Sequence, residues 1–223
     1  MSNLKNKIMK RILLTLAVVL VSIGFTNAQA EEGHITYKIS IESDDAAMAS
    51  MMEGSTFEIF FKGEKSRIDM SMGMMFSMVT ITDGKDILML MGGMMGKKAV
   101  LTSKKDLEKE GKDEGPDLDV KLVSGKKKVA GYDCKKAIIM DGDGNEIVYW
   151  YTEKLKLADP GQSNAQGKIP GIALAFEMDR QGMVMSYMAT SVEESIKDKS
   201  LFKMVIPDGY EKMTMEEMKS MGM

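Results

Sequence analysis

Beyond residue 33 the chain alternates apolar and polar positions with a period of two, the signature of strands with one buried face. "HITYKISI" sets Ile35, Tyr37, Ile39 and Ile41 against Thr36, Lys38 and Ser40. "STFEIFFKGEKSRIDMSM" reads as two strands about a Gly63-Glu64 turn, with Phe57, Ile59 and Phe61 in phase, then Ile68, Met70 and Met72. Asp83-Gly84 between apolar runs predicts a second hairpin. "KKAVLTS" adds a short strand, and a turn is expected at Ser124-Gly125 before a strand over 132–140. "DGDGN" leads into the aromatic "EIVYWYT", and Arg180-Gln181-Gly182 joins two further strands. Asp44 or Asp45 is placed to cap a short helix through Met52, with Gly54 ending it. "KKDLEKEGKDEGPD" is a charged loop, "ADPGQSNAQGKIPG" a polar one, and the tail "EKMTMEEMKSMGM" looks helical. About ten strands joined by hairpins predict a mainly β protein built on one antiparallel sheet, which must curl or close to manage its edges.

The N-terminus departs from this pattern. Lys5, Lys7, Lys10 and Arg11 precede the apolar run 12–23, and "AQA" at 28–30 is a cleavage signal. We read residues 1–30 as a signal peptide, 31–212 as one β domain and 213–223 as a methionine-rich tail. The expected protein is periplasmic or secreted and soluble after cleavage, with no later membrane-spanning run. Removal of the signal leaves 26 basic against 33 acidic residues, a net charge of −7. That balance argues against nucleic-acid binding.

Motifs of catalysis are missing. The chain has one His, His34, and lacks the nucleophile elbow, zincin, Walker and dinucleotide-binding patterns. "SGKK" at Ser124 matches S-x-x-K only formally. The lone Cys134 permits no internal disulfide, and its place in a strand predicts a buried thiol. "DGDGNE" begins like a calcium loop but has Glu146 where Gly is required and Thr152 where Glu is required. We therefore expect no enzyme and no cofactor.

Composition is ordinary except for methionine, 25 of 223 residues. Twelve fall between Met48 and Met95 and ten between Met178 and Met223. Thioethers are soft ligands for copper(I), and Met70, Met72, Met74 and Met75, or the tail residues Met213, Met215, Met218 and Met221, could supply them. Met is also unbranched and polarizable, and it recurs at adaptable apolar binding surfaces. Ordinary core packing with a methionine bias, and an interaction module using a strand edge, remain further readings.

Four stretches taken together, "GHITYKISIES", "GKKKVAGYDCKKAII", "EIVYWYTEKL" and "LFKMVIPDGYEKM", resemble the exported bacterial family known as domain of unknown function 4412. Members look like distant relatives of the periplasmic lipoprotein carrier and its outer-membrane receptor. The resemblance implies a strongly curved, unclosed antiparallel half-barrel with short helices on its concave side, able to hold acyl chains. It supplies no catalytic residues. The resulting expectation is a non-enzymatic binder of lipid or of a lipoprotein acyl chain, with transient outer-membrane contact. Phe57, Ile59, Phe61, Met70, Met72, Met89, Met91, Met183, Met185 and Tyr187 would line the concave face. Met48, Met51 and Met52 would form a lid. Copper(I) binding through Met213, Met215, Met218 and Met221 is the alternative. The run "ILMLM" is apolar on both faces and gives no face assignment.

Overall fold

A computed structural model describes residues 29–94, 96–106, 119–140, 146–157, 168–180 and 183–220. Residues 1–28 of the signal-like segment lie outside the described residues. So do most of the charged loop, the "DGDGN" turn, the Gln181-Gly182 turn and Met221.

Twelve strands form one sheet that does not close. They are β1 (Glu32–Ser43), β2 (Thr56–Lys62), β3 (Lys65–Met72), β4 (Phe76–Thr82), β5 (Asp86–Gly93), β6 (Lys98–Ser103), β7 (Asp119–Val129), β8 (Tyr132–Met140), β9 (Glu146–Thr152), β10 (Ile172–Arg180), β11 (Met183–Glu193) and β12 (Glu211–Met213). The spatial order is β12-β6-β5-β4-β3-β2-β1-β11-β10-β9-β8-β7. All neighbours are antiparallel except β12, which lies parallel to β6. Hairpin connections dominate because two-residue turns join antiparallel strands directly. The Asp83 carboxylate accepts from the Lys85 and Asp86 backbone N–H groups and tightens the second hairpin.

One expected turn is absent. β7 runs straight through Ser124-Gly125, where its register against β8 slips between Val123 and Lys126. The chain reverses instead at Ala130-Gly131, both with positive φ (47° and 86°), the geometry of a primed hairpin turn. Two extra residues have become a bulge, a device that twists a strand without ending it.

The sheet is wrapped. In a flat sheet β1 and β7, five pairings apart, would lie about 24 Å from each other. Yet Val129 of β7 belongs to the same buried cluster as Ile35, Tyr37, Ile59 and Phe61 of β1 and β2. Tyr132 of β8 likewise donates to the Glu194 carboxylate just past β11. The face carrying Ile35, Tyr37, Ile59 and Phe61 is therefore the concave one.

Strand β5 is apolar on both faces, and the C-terminal segment covers the apolar part of the opposite face. Ile81, Leu88, Leu90 and Ala99 pack there beneath Met204, Ile206 and Tyr210. Arg67 chelates Asp69 at 2.7 and 2.9 Å and donates to the Leu201 carbonyl at 3.3 Å, pinning the start of this segment. Glu32, bound to Lys62, also accepts from the Ile196 N–H at 2.8 Å. That salt bridge first, and the backbone bond second, hold the Glu32 carboxyl below its usual range. β12 then extends the sheet, and a terminal helix, α2 (Met215–Ser220), follows. Thr214 and Glu217 form its reciprocal capping box.

At the other end of the chain, Ala30 bridges Leu155, donating to Lys154 O and accepting from Lys156 N. Cleavage after Ala30 would remove that bridge and leave the sheet, which begins at Glu32, intact.

The short helix α1 (Ala46–Met51) is capped by Asp45, whose side chain accepts from Ala47 N and Met48 N. Its C-terminal end is tied to the β3–β4 turn, where Met74 N donates to Met51 O at 3.1 Å. Gly73 makes this possible. It has φ 55°, and a Cβ there would sit 2.1 Å from the Met51 carbonyl oxygen. Gly131 has φ 86° with open space around it. Gly131→Ala should thus cost only the left-handed strain, about 1 kcal/mol. Gly73→Ala should cost at least twice that in urea unfolding, because backbone must move as well.

Candidate functional site

Directly paired residues share a face of an antiparallel sheet, so register places each expected site residue. One row runs Ile35–Ile59–Ile68–Thr80–Met89–Val100 across β1–β6. The next runs Tyr37–Phe57–Met70–Met78–Met91. Beyond it, Met72 pairs with Phe76, and on the other side Ile39, Ile41 and Ser43 pair with Tyr187, Met185 and Met183. Phe61 stands opposite Gly33 and Ser66. All ten residues named from the sequence therefore lie on the concave face.

They are not equivalent. Ile59, Phe61, Met91 and Tyr187 are buried, whereas Phe57, Met70, Met72, Met89, Met183 and Met185 are half-buried. Tyr187 and the half-buried Phe57 belong to a floor of aromatic rings. Phe176 stacks on Tyr187 (4.5 Å, 10°) and on Tyr149 (5.2 Å, 16°), while Phe57 meets Tyr187 edge-on (5.7 Å, 81°) and Tyr37 at 4.9 Å. Tyr37 donates its hydroxyl to the Ala173 carbonyl at 2.7 Å, reaching from β1 past β11 to β10. Burial drives the Tyr37 hydroxyl far above its ordinary pKa and raises that of Tyr187 too. Both rings act as apolar packing with a satisfied or shielded polar tip. The centre of the concave face is thus filled by the protein's own side chains, and its periphery is the half-buried methionine strip.

A pocket of about 490 Å³ opens at the edge of this floor. β2 begins only at Thr56, opposite Lys38, so β1 runs on without that neighbour. α1 spans the gap. Ile39, Ile41 and Met52 give the pocket apolar walls, and Ser50, Glu53 and Ser55 give it a polar rim. Of the three expected lid residues, Met52 is buried at 5 % exposure while Met48 and Met51 are half-buried.

Sequence reasoning missed Met78 and Phe76, which complete the methionine rows from β4, and Ile39 and Ile41, which line the pocket. Their period-two alternation was visible. Their membership required the cross-strand register. "ILMLM" resolves cleanly, with Met89 and Met91 facing the concave side and Leu88 and Leu90 lying under the C-terminal segment.

The tail methionines are distributed over two elements. Met213 is half-buried in β12 and pairs with Val100, and Met215 and Met218 sit one turn apart on α2. Among the described residues, no group of three His, Cys, Asp or Glu is arranged to hold a metal ion. His34 lies on the opposite face, stacked on Phe60 and 3.0 Å from Glu58. No helix among the described residues is long and apolar enough to cross a membrane.

An unclosed, curled sheet with a partly self-filled concave face defines a half-barrel of β-barrel-like class. The chain belongs to the domain of unknown function 4412 family, whose model matches residues 32–183. No curated protein matches the sequence. Among solved structures, PNGF-II in space group P21 aligns with TM-score 0.50 and 20% identity, over 86% of this chain and 33% of that one. The chain thus spans about a third of PNGF-II, and the likeness is one of fold. An uncharacterized conserved protein from Thermus thermophilus aligns at TM-score 0.48 and 10% identity over 83% of this chain and 91% of its own. A β-barrel-like protein of domain of unknown function 1849 from Brucella abortus aligns at 0.35 and 9% over 74% and 98%.

Cys134 is buried at 1 % exposure, with its Sγ 3.7 Å from the Tyr132 carbonyl. Burial, aided by Asp133, pushes its pKa up to about 11 from 9.0. Its thiolate is accordingly scarce at neutral pH, and the site does not suit nucleophilic chemistry. The native chain should react slowly with a disulfide reagent at pH 8 and rapidly in guanidinium chloride. Because the folded pKa is raised, the neutral thiol's share of stability is complete below pH 9 and is lost as pH climbs through 11. The stability difference between wild type and Cys134→Ala should shrink over that window.

Proposed function

We propose that the protein is an exported, non-catalytic binder of a hydrophobic ligand, a lipid or the acyl part of a lipoprotein. The ligand is held between the methionine strip and the pocket under α1. The observation that carries this reading is the division of the concave face. An aromatic floor, its Tyr37, Tyr149 and Tyr187 buried, fills the centre, and half-buried, unbranched thioether chains adjoin it, with Met185 paired to Ile41 of a pocket of about 490 Å³. That volume falls within the roughly 300–1,000 Å³ of small-molecule sites, and the pocket is open, with more polar than apolar lining. Flexible thioethers conform to a chain of irregular contour, whereas branched residues would set a fixed shape. α1, hinged on the Gly73 turn, acts as the lid.

Each methylene transferred from water contributes about 0.8 kcal/mol. An acyl chain of ordinary length therefore reaches micromolar affinity after association costs. Soluble passage through a periplasmic space, with brief contact at the outer membrane, suits such a cargo.

The test is native mass spectrometry of the purified chain, followed by displacement of a fluorescent fatty acid. Bound lipid mass, or saturable displacement at micromolar concentration, is the expected result. Met72→Glu and Met89→Glu should each weaken binding at least tenfold, and Met→Leu at the same positions should retain it. A folded chain that takes up no fatty acid, or glutamate variants that bind as tightly as wild type, would sink the reading.

A further inference from the structure

The chain is acidic overall, yet one margin of the sheet is basic. β7, the free edge strand opposite β12, carries Lys126, Lys127 and Lys128 in succession, all exposed. β8 adds Lys135 and Lys136. The bulge at Ser124-Gly125 sets the register that gathers them. Lys126 stands directly across from Lys135, and Lys127 from Cys134. Lys136 pairs with Trp150 on β9, and Lys127 Nζ lies 5.7 Å from the centre of the same indole. Gly125 lets the strand approach, since a Cβ there would come 3.1 Å from Lys136 Cβ and 3.4 Å from Trp150 Cη2.

Among the described residues the acidic groups near this margin do not balance it. Asp133 is the cross-strand partner of Lys128, Glu153 binds Lys135 at 2.6 Å, and Asp119 reaches Lys121 at 3.3 Å. Among the described residues, Lys126, Lys127 and Lys136 have no carboxylate partner. Like charges set opposite each other, as in Lys126 and Lys135, destabilise a sheet. A lysine or two on an edge strand serves to block strand pairing, but that role requires neither Lys135 and Lys136 on β8 nor an indole on β9. Leu122, on the same strand, is 59 % exposed. Successive lysines on a strand point to opposite faces, so only a surface meeting the sheet edge-on engages all of them.

We infer that this edge docks on a membrane surface rich in anionic phospholipid, its lysines over headgroup phosphates, with Leu122 at the interface and Trp150, two strands in and packed against the core cluster, behind it. Charge complementarity selects the partner. Lysine heads on long apolar stems beside an exposed leucine suit the boundary between headgroup and acyl region. The edge stands apart from the pocket under α1, so the inference does not depend on what that pocket holds.

Trp150 is the only tryptophan of the chain and reports on its own surroundings. The purified chain is titrated with vesicles of equal parts phosphatidylcholine and phosphatidylglycerol, and separately with phosphatidylcholine alone. The expected result is co-sedimentation with the mixed vesicles only. Trp150, beside Lys127 and Lys136, should change its emission on binding, and both the change and the co-sedimentation should vanish at high salt. Each lysine near such a surface contributes about fivefold in partitioning. K126Q/K127Q/K136Q should therefore lower it about a hundredfold while the circular dichroism spectrum is kept. Absence of binding, or equal binding to neutral vesicles, overturns the inference. So does displacement by polyglutamate at lower concentration than by vesicles, which would make the partner an acidic polypeptide.

Discussion

The structure depends on one constraint: strand β5 is apolar on both faces, and neither face can be left to water. A sheet covered on one side normally alternates apolar with polar residues. Here Leu88 and Leu90 alternate with Met89 and Met91, so burying either set leaves the other in want of cover. The fold answers the two needs differently. The opposite face receives the protein's own C-terminal segment, held by Arg67 and Glu32 through backbone bonds that fix its path. The concave face receives curvature, an aromatic floor and one short helix. Methionine is concentrated where that second cover is thinnest.

Curvature and the aromatic floor are one phenomenon seen twice. Large rings on β1, β2, β9, β10 and β11 meet because the sheet wraps, and their packing keeps it wrapped. The Tyr37 hydroxyl, satisfied on the Ala173 carbonyl, shows how close that wrapping brings strands that are not neighbours. The bulge in β10 between Ala173 and Ala175 and the slip in β7 supply the local bending. The rings occupy the middle of the concavity, and the pocket opens toward the end where β2 falls short and α1 takes its place.

Polar groups follow the same economy. Among the described residues every deeply buried side-chain N and O atom has a hydrogen-bond partner. The buried Cys134 thiol stays neutral because its surroundings disfavour the charged form. Charge within the sheet is paired, as in Arg67–Asp69, and the β7–β8 edge is basic.

Much of this was legible along the chain. The strands from β1 to β6, the Asp45-capped helix and the Asp83-Gly84 hairpin follow from alternation and turn chemistry, which act between near neighbours. The mainly β class and the family follow from the same stretches. At Ser124-Gly125 the local signal misled, because Ser-Gly suits a turn and a bulge equally and only pairing with β8 distinguishes them. Which side of "ILMLM" faces the concavity was undetermined, since a period-two pattern with both phases apolar carries no sign. The division of the concave face into filled floor and open strip was beyond any linear reading, as it depends on rings contributed by five strands. Sequence alone determined the elements and the residues able to share one face. Tertiary structure decided which of them are spent on packing and which remain available, because burial is a property of neighbours across the sheet and not along the chain.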